Sequence, residues 1–269
     1  MKKKIAIIGS GIGGLTAANL FIKNSDFEII VYEKEEILSL DQGYGIQLAT
    51  NSISILNKIG FKNIDNNNIF NPLKLNFYSN NNKICDLDLE RFNKDSVKYT
   101  TLQRSTLIEF LKDKLFENNF RFGKEVRKVS KIKDKLLINF VDNTNDLVDF
   151  IIVSDGVFSK TKSIIENKTI KPRYNGSVAI RTIIKFSEEF NYESKNISLI
   201  MFPKAHIVIY PINKKGNFNL VCIVREKLSQ NYDVHSIIEK KILSKNKNLE
   251  NLFKADLNLW PVYVTKKPI

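Results

Sequence analysis

The sequence predicts an α/β fold in which a parallel strand–turn–helix–strand unit is interleaved with a mainly antiparallel sheet. Three observations carry that prediction. The β-branched run Lys4-Ile-Ala-Ile-Ile8 ends in a glycine turn, and Leu15, Ala18 and Phe21 then recur at helical spacing. A second apolar run, Phe27-Glu-Ile-Ile-Val-Tyr32, closes this unit as a strand. From Gly176 to Val224 the pattern is mostly β, with runs at 178–185, 197–202, 206–210 and 218–224. Alternation of this kind along one chain fits two interleaved layers better than two domains in series.

The intervening elements follow in order. Helices are expected at 51–59, 105–118 and 159–165, and Leu107, Leu111 and Leu115 keep one face of the second apolar. Asparagine-rich patches at 66–68 and 80–82 read as turns. Alternating runs at 73–78 and 84–89 form one expected hairpin. Runs at 126–132 and 136–141 form another, turning at Asp134-Lys135. The nearly continuous apolar run 147–153 reads as a single buried strand. The expected domains are discontinuous: 1–72 with 98–172 around the glycine turn, and 73–97 with 173–269 as a sheet region.

Composition narrows the function classes. The chain has 269 residues, 43% of them apolar, which excludes a disordered chain. Its two cysteines exclude a disulfide-stapled mini-protein. Cys85 and Cys222 lie far apart with no metal-type spacing and read as two reduced, buried thiols in a cytoplasmic protein. The opening MKKKIAIIGSGIGGL imitates a secretion signal, but glycines break its apolar run. No uninterrupted apolar stretch reaches the ~18 residues of a membrane span, so no stable membrane insertion is expected. The net charge of +13 comes from lysines scattered among isoleucine and asparagine. Its densest stretch, Lys240 to Lys247, includes Ile242 and Leu243 and reads as a solvated helix face. Aromatic residues do not interleave with any lysine cluster as a nucleic-acid stacking platform requires, so no nucleic-acid partner is expected. Oligomeric state is not legible in the sequence.

The strongest local signal is Gly9-Ser10-Gly11-Ile12-Gly13-Gly14, a G-x-G-x-x-G between a strand and a helix. Gly9 permits the tight turn, Gly11 admits a pyrophosphate close to the backbone, and Gly14 allows close helix–strand packing. The helix opening at Ile12 aims its first amides at those phosphates. Glu33, at the end of the second strand, stands where a carboxylate binds a ribose hydroxyl, and its charge argues against a 2′-phosphate there. No zinc-type histidine motif, cysteine cluster or G-x-S-x-G is present, which argues against zinc sites and nucleophile-elbow hydrolases.

A second signal decides which dinucleotide. Val153-Ser-Asp155-Gly156-Val-Phe-Ser159-Lys-Thr-Lys162 resembles the Gly-Ala-Asp-Gly-x-x-Ser-x-x-Arg segment of the flavin-dependent aromatic hydroxylases related to para-hydroxybenzoate hydroxylase. Here Gly-Ala is replaced by Val-Ser and the arginine by Lys162, which keeps the charge and loses bidentate geometry. Gly43-Tyr-Gly45-Ile-Gln47-Leu-Ala-Thr-Asn51 resembles the family's Gly-x-Gly-Ile-x-Leu-x-x-Asn segment, and Arg104 matches its arginine near the flavin. Gly176-Ser-Val-Ala-Ile-Arg181 resembles the Gly-x-x-Ala-x-Arg strand of the salicylate hydroxylase branch. The resemblance covers nearly the whole chain. It implies a Rossmann-like FAD-binding domain interleaved with a substrate-binding sheet, with FAD held by Gly9, Gly11, Ile12, Gly14, Glu33, Gln47, Arg104, Val126 and Asp155. Val126 is implied as a backbone contact to adenine.

It further implies a monooxygenase that hydroxylates a small aromatic compound with NAD(P)H as co-substrate and O2. On the substrate side, residues 206, 208 and 210 of one strand point to one face. His206 and Tyr210 are therefore expected near one another, His206 as base or hydrogen-bond partner for a substrate phenol. Arg181 is the candidate for a substrate carboxylate, and His235 reads as structural. Two alternatives accompany this reading: a ubiquinone-pathway hydroxylase of a polyprenyl phenol, and a truncated, non-catalytic FAD-binding fragment. The second arises because the family's third fingerprint begins with Gly-Asp, and no Gly-Asp pair occurs here. The final stretch, Leu259 to Ile269, resembles the region just ahead of that fingerprint. The chain is therefore expected to be an N-terminal piece of a longer monooxygenase, with weak FAD affinity and little hydroxylation expected if nothing follows Ile269.

Overall fold

A computed structural model describes residues 2–38, 40, 43–79, 82–187 and 192–265. The first half of the chain carries β1 (Lys3–Ile8), α1 (Ile12–Phe21), β2 (Phe27–Tyr32), β3 (Gly45–Leu48), α2 (Thr50–Asn57), β4 (Ile69–Phe70), β5 (Lys74–Ser79), β6 (Asn82–Asp88), β7 (Thr100–Gln103) and α3 (Arg104–Lys112). Then come β8 (Phe120–Arg121), β9 (Val126–Ile132), β10 (Lys135–Phe140), β11 (Asn145–Val148), β12 (Phe150–Val153) and α4 (Lys160–Ile165). The last part holds β13 (Arg173–Lys185), β14 (Ile197–Phe202), β15 (Ala205–Pro211), β16 (Asn217–Arg225), α5 (Val234–Ile238) and β17 (Asn258–Val264).

The chain divides into two compact units. The first comprises Met1–Gln42, Leu107–Arg173 and Thr265–Ile269, and the second Gly43–Thr106 and Tyr174–Val264. In the first unit β12, β1, β2 and β8 form a parallel sheet. β1 is central, and its Ala6 and Ile7 are wholly buried, which is why it reads as a continuous apolar run. An antiparallel sheet of β9, β10 and β11 adds Val126, Ile138, Phe140 and Val148 to a core shared with Ala6, Ile8, Ile30 and Tyr32. The Asn19 amide is buried in α1 without penalty, because Nδ2 donates to the carbonyls of Leu15 and Leu111, both at 2.8 Å.

Two sequence expectations need correction here. The run 147–153 is two strands, not one. β11 pairs antiparallel with β10 and β12 pairs parallel with β1. The break is at Asp149, whose carboxylate accepts the Lys4 amide at 2.8 Å while its own amide donates to the Lys4 carbonyl at 2.9 Å. Nor is the run wholly buried, since Leu147 and Phe150 are 43% and 46% exposed. The helix expected over 105–118 ends at Lys112. Beyond it Asn119 accepts the Phe116 amide and donates to the Ile29 carbonyl, bonds that draw the chain out of the helix and into β8.

The second unit is built on a seven-stranded sheet in the order β17, β13, β16, β15, β14, β5, β6, beside a small sheet of β3, β7 and β4. The β14–β5 pair is parallel, while β13, β16, β15 and β14 are successively antiparallel. One face of the large sheet forms the core, where Ile180, Ile207, Leu220 and Cys222 meet Ile238, Ile242, Leu252 and Phe253. Ile242 is buried while Lys240, Lys245 and Lys247 are exposed, as expected of a solvated helix face. β5 and β6 form the expected hairpin, with residues 80–81 of its asparagine patch outside the described residues. Cys222 is buried as expected, whereas Cys85 on β6 is exposed.

Residues 43–72 and 98–106, grouped by sequence with the glycine turn, pack with this second unit. The Gly45 amide donates to Asn219 Oδ1 at 2.7 Å and the Thr101 hydroxyl donates to the Pro211 carbonyl at 2.5 Å. Among the described residues no helix is long and apolar enough to cross a membrane.

Candidate dinucleotide site and substrate face

The glycine turn of the first unit is held by backbone contacts. Gly9 has φ +102°, donates its amide to the Tyr32 carbonyl at 2.8 Å, and a Cβ there would lie 2.6 Å from the Ser154 carbonyl oxygen. A Cβ on Gly14 would lie 2.0 Å from the Gly9 carbonyl oxygen and 2.7 Å from Ser154 Oγ. Gly11 and Gly13 differ, because a Cβ on either meets nothing within 4 Å. Gly11 is the N-cap of α1 and Ile12 its first residue, with no side-chain cap and no acidic residue in the first turn. The turn is therefore closed on its β12 side, and at α1 it opens with amides suited to an anion.

Glu33 stands over this turn. Its Oε2 accepts both the amide and the hydroxyl of Ser10, at 2.9 and 2.6 Å, and Oε1 accepts the Glu35 amide at 3.2 Å. Burial pushes the pKa of the carboxyl up, but these hydrogen bonds outweigh it and hold Glu33 below the ordinary glutamate range. Asp155 Oδ2 accepts the Thr161 amide at 3.3 Å, whereas Oδ1 is buried with no hydrogen-bond partner. A buried carboxylate oxygen left unpaired is costly, so it marks a place for a donor supplied by a ligand. Ser154, where the family segment has alanine, donates its hydroxyl to the Ile8 carbonyl at 3.0 Å. Lys162 lies 4.0 Å from Glu166 on α4. Val126 opens β9 with its side chain in the core, beside a register shift in the pairing with β10.

In the second unit, the sheet face opposite the core is half-buried around Arg181, Val208 and His206, and at its Tyr210 end Leu89, Ile197 and Ile212 close it. Register puts Arg181, Val221, Val208, Leu199 and Phe77 in one row across five strands. His206 lies in the next row with Ile223 and Met201, and Tyr210 in the row on the other side with Asn219. His206 and Tyr210 do share a face, but Val208 separates them. Four residues along a strand span about 13 Å, so they flank a patch and do not touch.

His206 is half-buried, and that burial lowers its pKa, so the neutral imidazole dominates at neutral pH. Burial pushes the Tyr210 phenol above its usual range. Gln47 Oε1 accepts the Tyr99 hydroxyl at 2.7 Å, and its side chain lies near the Tyr210 phenol. The Arg181 guanidinium lies 5.9 Å from the centre of the Tyr44 ring, and its Nε is buried without a partner. Arg104 opens α3, donates its amide to the Tyr44 carbonyl at 2.9 Å, and has its guanidinium pKa lowered by burial.

The predicted site residues thus fall into two sets. Gly9, Gly11, Ile12, Gly14, Glu33, Val126 and Asp155 belong to the first unit; Gln47, Arg104, Arg181, His206 and Tyr210 belong to the second. Sequence reasoning missed Ser10, Tyr44, Tyr99 and Asn219. Ser10 and Tyr44 sit inside the quoted motifs at their variable positions, whereas no local pattern marks Tyr99 or Asn219.

Comparison with known proteins agrees with these features. The model of an NAD(P)-binding Rossmann-like domain matches residues 7–42, the stretch with the glycine turn and Glu33. A 3-amino-4-hydroxybenzoate 2-monooxygenase of Streptomyces platensis is 23% identical over 231 residues, 83% of this chain and 57% of the relative. A 6-hydroxynicotinate 3-monooxygenase of Pseudomonas fluorescens is 26% identical over 189 residues, 69% of this chain and 48% of the relative. The crystal structure of Klebsiella pneumoniae HpxO with FAD and uric acid superposes with a TM-score of 0.84 at 19% identity, covering 98% of this chain and 69% of that one. That superposition shows a shared fold. The relatives are FAD-dependent aromatic monooxygenases, which bears out the resemblance read from the motifs. The chain spans about half the length of the relatives it matches.

Proposed function

We propose that this protein is an FAD-dependent monooxygenase that hydroxylates a small aromatic compound at the expense of NAD(P)H and O2. The observation that carries the reading is the glycine turn, open at Gly11, beside a buried carboxylate oxygen of Asp155 that has no partner. Both features fit the dinucleotide portion of FAD, with the α1 amides toward the pyrophosphate and Glu33 toward the adenosine ribose. Gln47 and Arg104 carry their assignment to FAD from the resemblance alone. When bound, the flavin would take reducing equivalents from NAD(P)H and use them to activate O2 for transfer to the ring.

The protein's own share of the substrate chemistry lies on the half-buried sheet face. Arg181 offers its unpartnered Nε to a substrate carboxylate, a charge-assisted bond that also orients the ring. The neutral imidazole of His206 accepts the proton of a substrate phenol, which makes the ring more electron-rich. Tyr210 hydrogen-bonds a ring substituent at the other end of the patch. From Arg181 to either residue is about 12 Å between backbones, given strand spacings of roughly 4.8 Å and a rise of roughly 3.3 Å per residue. A single substituted ring fills that span. The reaction suits the cytoplasm, where the cysteines Cys85 and Cys222 stay reduced.

The test is direct. The protein is reconstituted with FAD and given NADH or NADPH, 18O2 and a panel of hydroxybenzoates and hydroxypyridine carboxylates. The expected result is ring-stimulated oxidation of the nicotinamide with one 18O in the product. Failure to retain flavin, or oxidation that yields only hydrogen peroxide with every ring, would sink the proposal.

A further inference from the structure

We propose that Ser10, the variable residue between the first two glycines of the turn, is a positioning residue for the dinucleotide: it clamps one oxygen of Glu33 and leaves the other to accept a ribose hydroxyl. The inference rests on the reading that the first unit binds FAD, and it adds a residue that the fingerprint treats as free. The geometry is specific. Ser10 is 3% exposed, and both its donors, amide at 2.9 Å and hydroxyl at 2.6 Å, converge on Oε2 of Glu33. Oε1 keeps only the 3.2 Å bond from the Glu35 amide and so retains lone-pair capacity. A carboxylate on a long side chain otherwise samples several rotamers, and two bonds to one oxygen select one of them.

The clamp also acts on charge. A ribose hydroxyl is bound best by an ionised acceptor, and the Ser10 bonds are among those that keep Glu33 ionised at lower pH than an ordinary glutamate. The other charged groups at this end of β2 are Lys34, Glu35, Glu36, Arg121 and Lys124. Lys34 pairs with Glu35 at 3.2 Å, and the Lys124 ammonium is bonded to Asp142. None of them changes when Ser10 is replaced. A serine hydroxyl facing Glu33, in place of a hydrogen atom, therefore sets both the direction and the protonation of the carboxylate.

The experiment compares the wild-type chain with Ser10→Ala, Ser10→Thr and Glu33→Gln. FAD affinity is read from quenching of flavin fluorescence between pH 4 and pH 8, and Glu33 protonation from 13C NMR of the carboxyl in the FAD-free protein. Ser10→Ala is expected to weaken FAD binding about tenfold, as suits one lost hydrogen bond to a charged group. It should also move the acid limb of binding, and the Glu33 titration with it, to higher pH. Ser10→Thr keeps the hydroxyl and should restore both, while in a Glu33→Gln background Ser10→Ala should no longer move the acid limb. FAD binding by Ser10→Ala with an unmoved acid limb overturns this inference alone. Absence of FAD binding by the wild-type chain overturns the functional reading of the unit, and this inference with it. Melting curves of Ser10→Ala and Ser10→Thr separate a local effect from loss of fold.

Discussion

In the proposed function, the glycine turn of the first unit and the half-buried sheet face of the second share one task, holding a small molecule, and meet it by opposite means. The turn is made of backbone. A Cβ at Gly14 would come within 2.0 Å of the Gly9 carbonyl oxygen, and one at Gly9 within 2.6 Å of the Ser154 carbonyl oxygen, so neither position has slack. The sheet face is made of side chains on regular strands, where almost any residue leaves the ladder intact. Backbone sites are demanding about residue type and say little about the ligand beyond its phosphates. Side-chain sites tolerate substitution and carry the chemistry that distinguishes one ring from another.

The largest effect that follows is at Gly14. Gly14→Ala places a methyl group against the Gly9 backbone, which cannot move without separating α1 from the turn that follows β1. The expected result is loss of about 3 kcal/mol or more of stability and no measurable FAD binding, read from urea unfolding and flavin fluorescence. Gly11→Ala, where a Cβ meets nothing, should leave stability within about 0.5 kcal/mol while still weakening FAD binding. If both variants behaved alike, the contrast between a closed and an open side of the turn would be broken.

His206 comes next, because removing the proposed general base should cost rate without costing fold. His206→Asn should lower kcat by about 100-fold with an unchanged melting temperature at neutral pH. The pH dependence has a definite sign. Burial lowers the folded-state pKa of His206, so the imidazole stays neutral, and active, somewhat below the usual histidine range. The acid limb of kcat/KM should therefore lie below pH ~6.5 and vanish in His206→Asn. The unfolded chain protonates this histidine first, so its contribution to stability is present at neutral pH. That contribution is lost as pH falls through the unfolded and then the folded pKa. An acid limb unchanged in His206→Asn would remove His206 from the chemistry.

The same contrast explains what was legible in the sequence. Gly9, Gly11 and Gly14 announce themselves because glycine is the residue type that their geometry requires, and Glu33 follows at the spacing of one βαβ step. The strands of the large sheet were readable from their period. The split of 147–153 was not, because Asp149 breaks the run by hydrogen bonds to Lys4, a residue at the other end of the unit. The placement of 43–72 and 98–106 with the second unit depends on Asn219 and Pro211, which lie 174 and 110 residues from Gly45 and Thr101. His206 and Tyr210 were correctly assigned to one face, but their separation by Val208 is a matter of rise per residue, which overrides any impression of nearness from the spacing. Tyr99 was invisible for a related reason: its partner Gln47 lies on another strand, and no local pattern joins them.

Tyr99 also gives the smallest and most discriminating effect. Its hydroxyl holds the carbonyl end of the Gln47 amide at 2.7 Å, which turns the NH2 end toward Tyr210. Burial keeps the Tyr210 phenol protonated, so it has a proton to donate to a ring substituent. Tyr99→Phe frees the amide to rotate, at a cost of about 1 kcal/mol in ligand binding, equivalent to roughly fivefold in KM. The effect should appear for substrates with an acceptor at that position and be absent for the same ring without it, and kcat should stay within about twofold, since the variant touches no reacting atom. A loss shared equally by both rings would mean that Tyr99 supports only the sheet. That would leave Gln47 with the flavin contact implied by its motif alone.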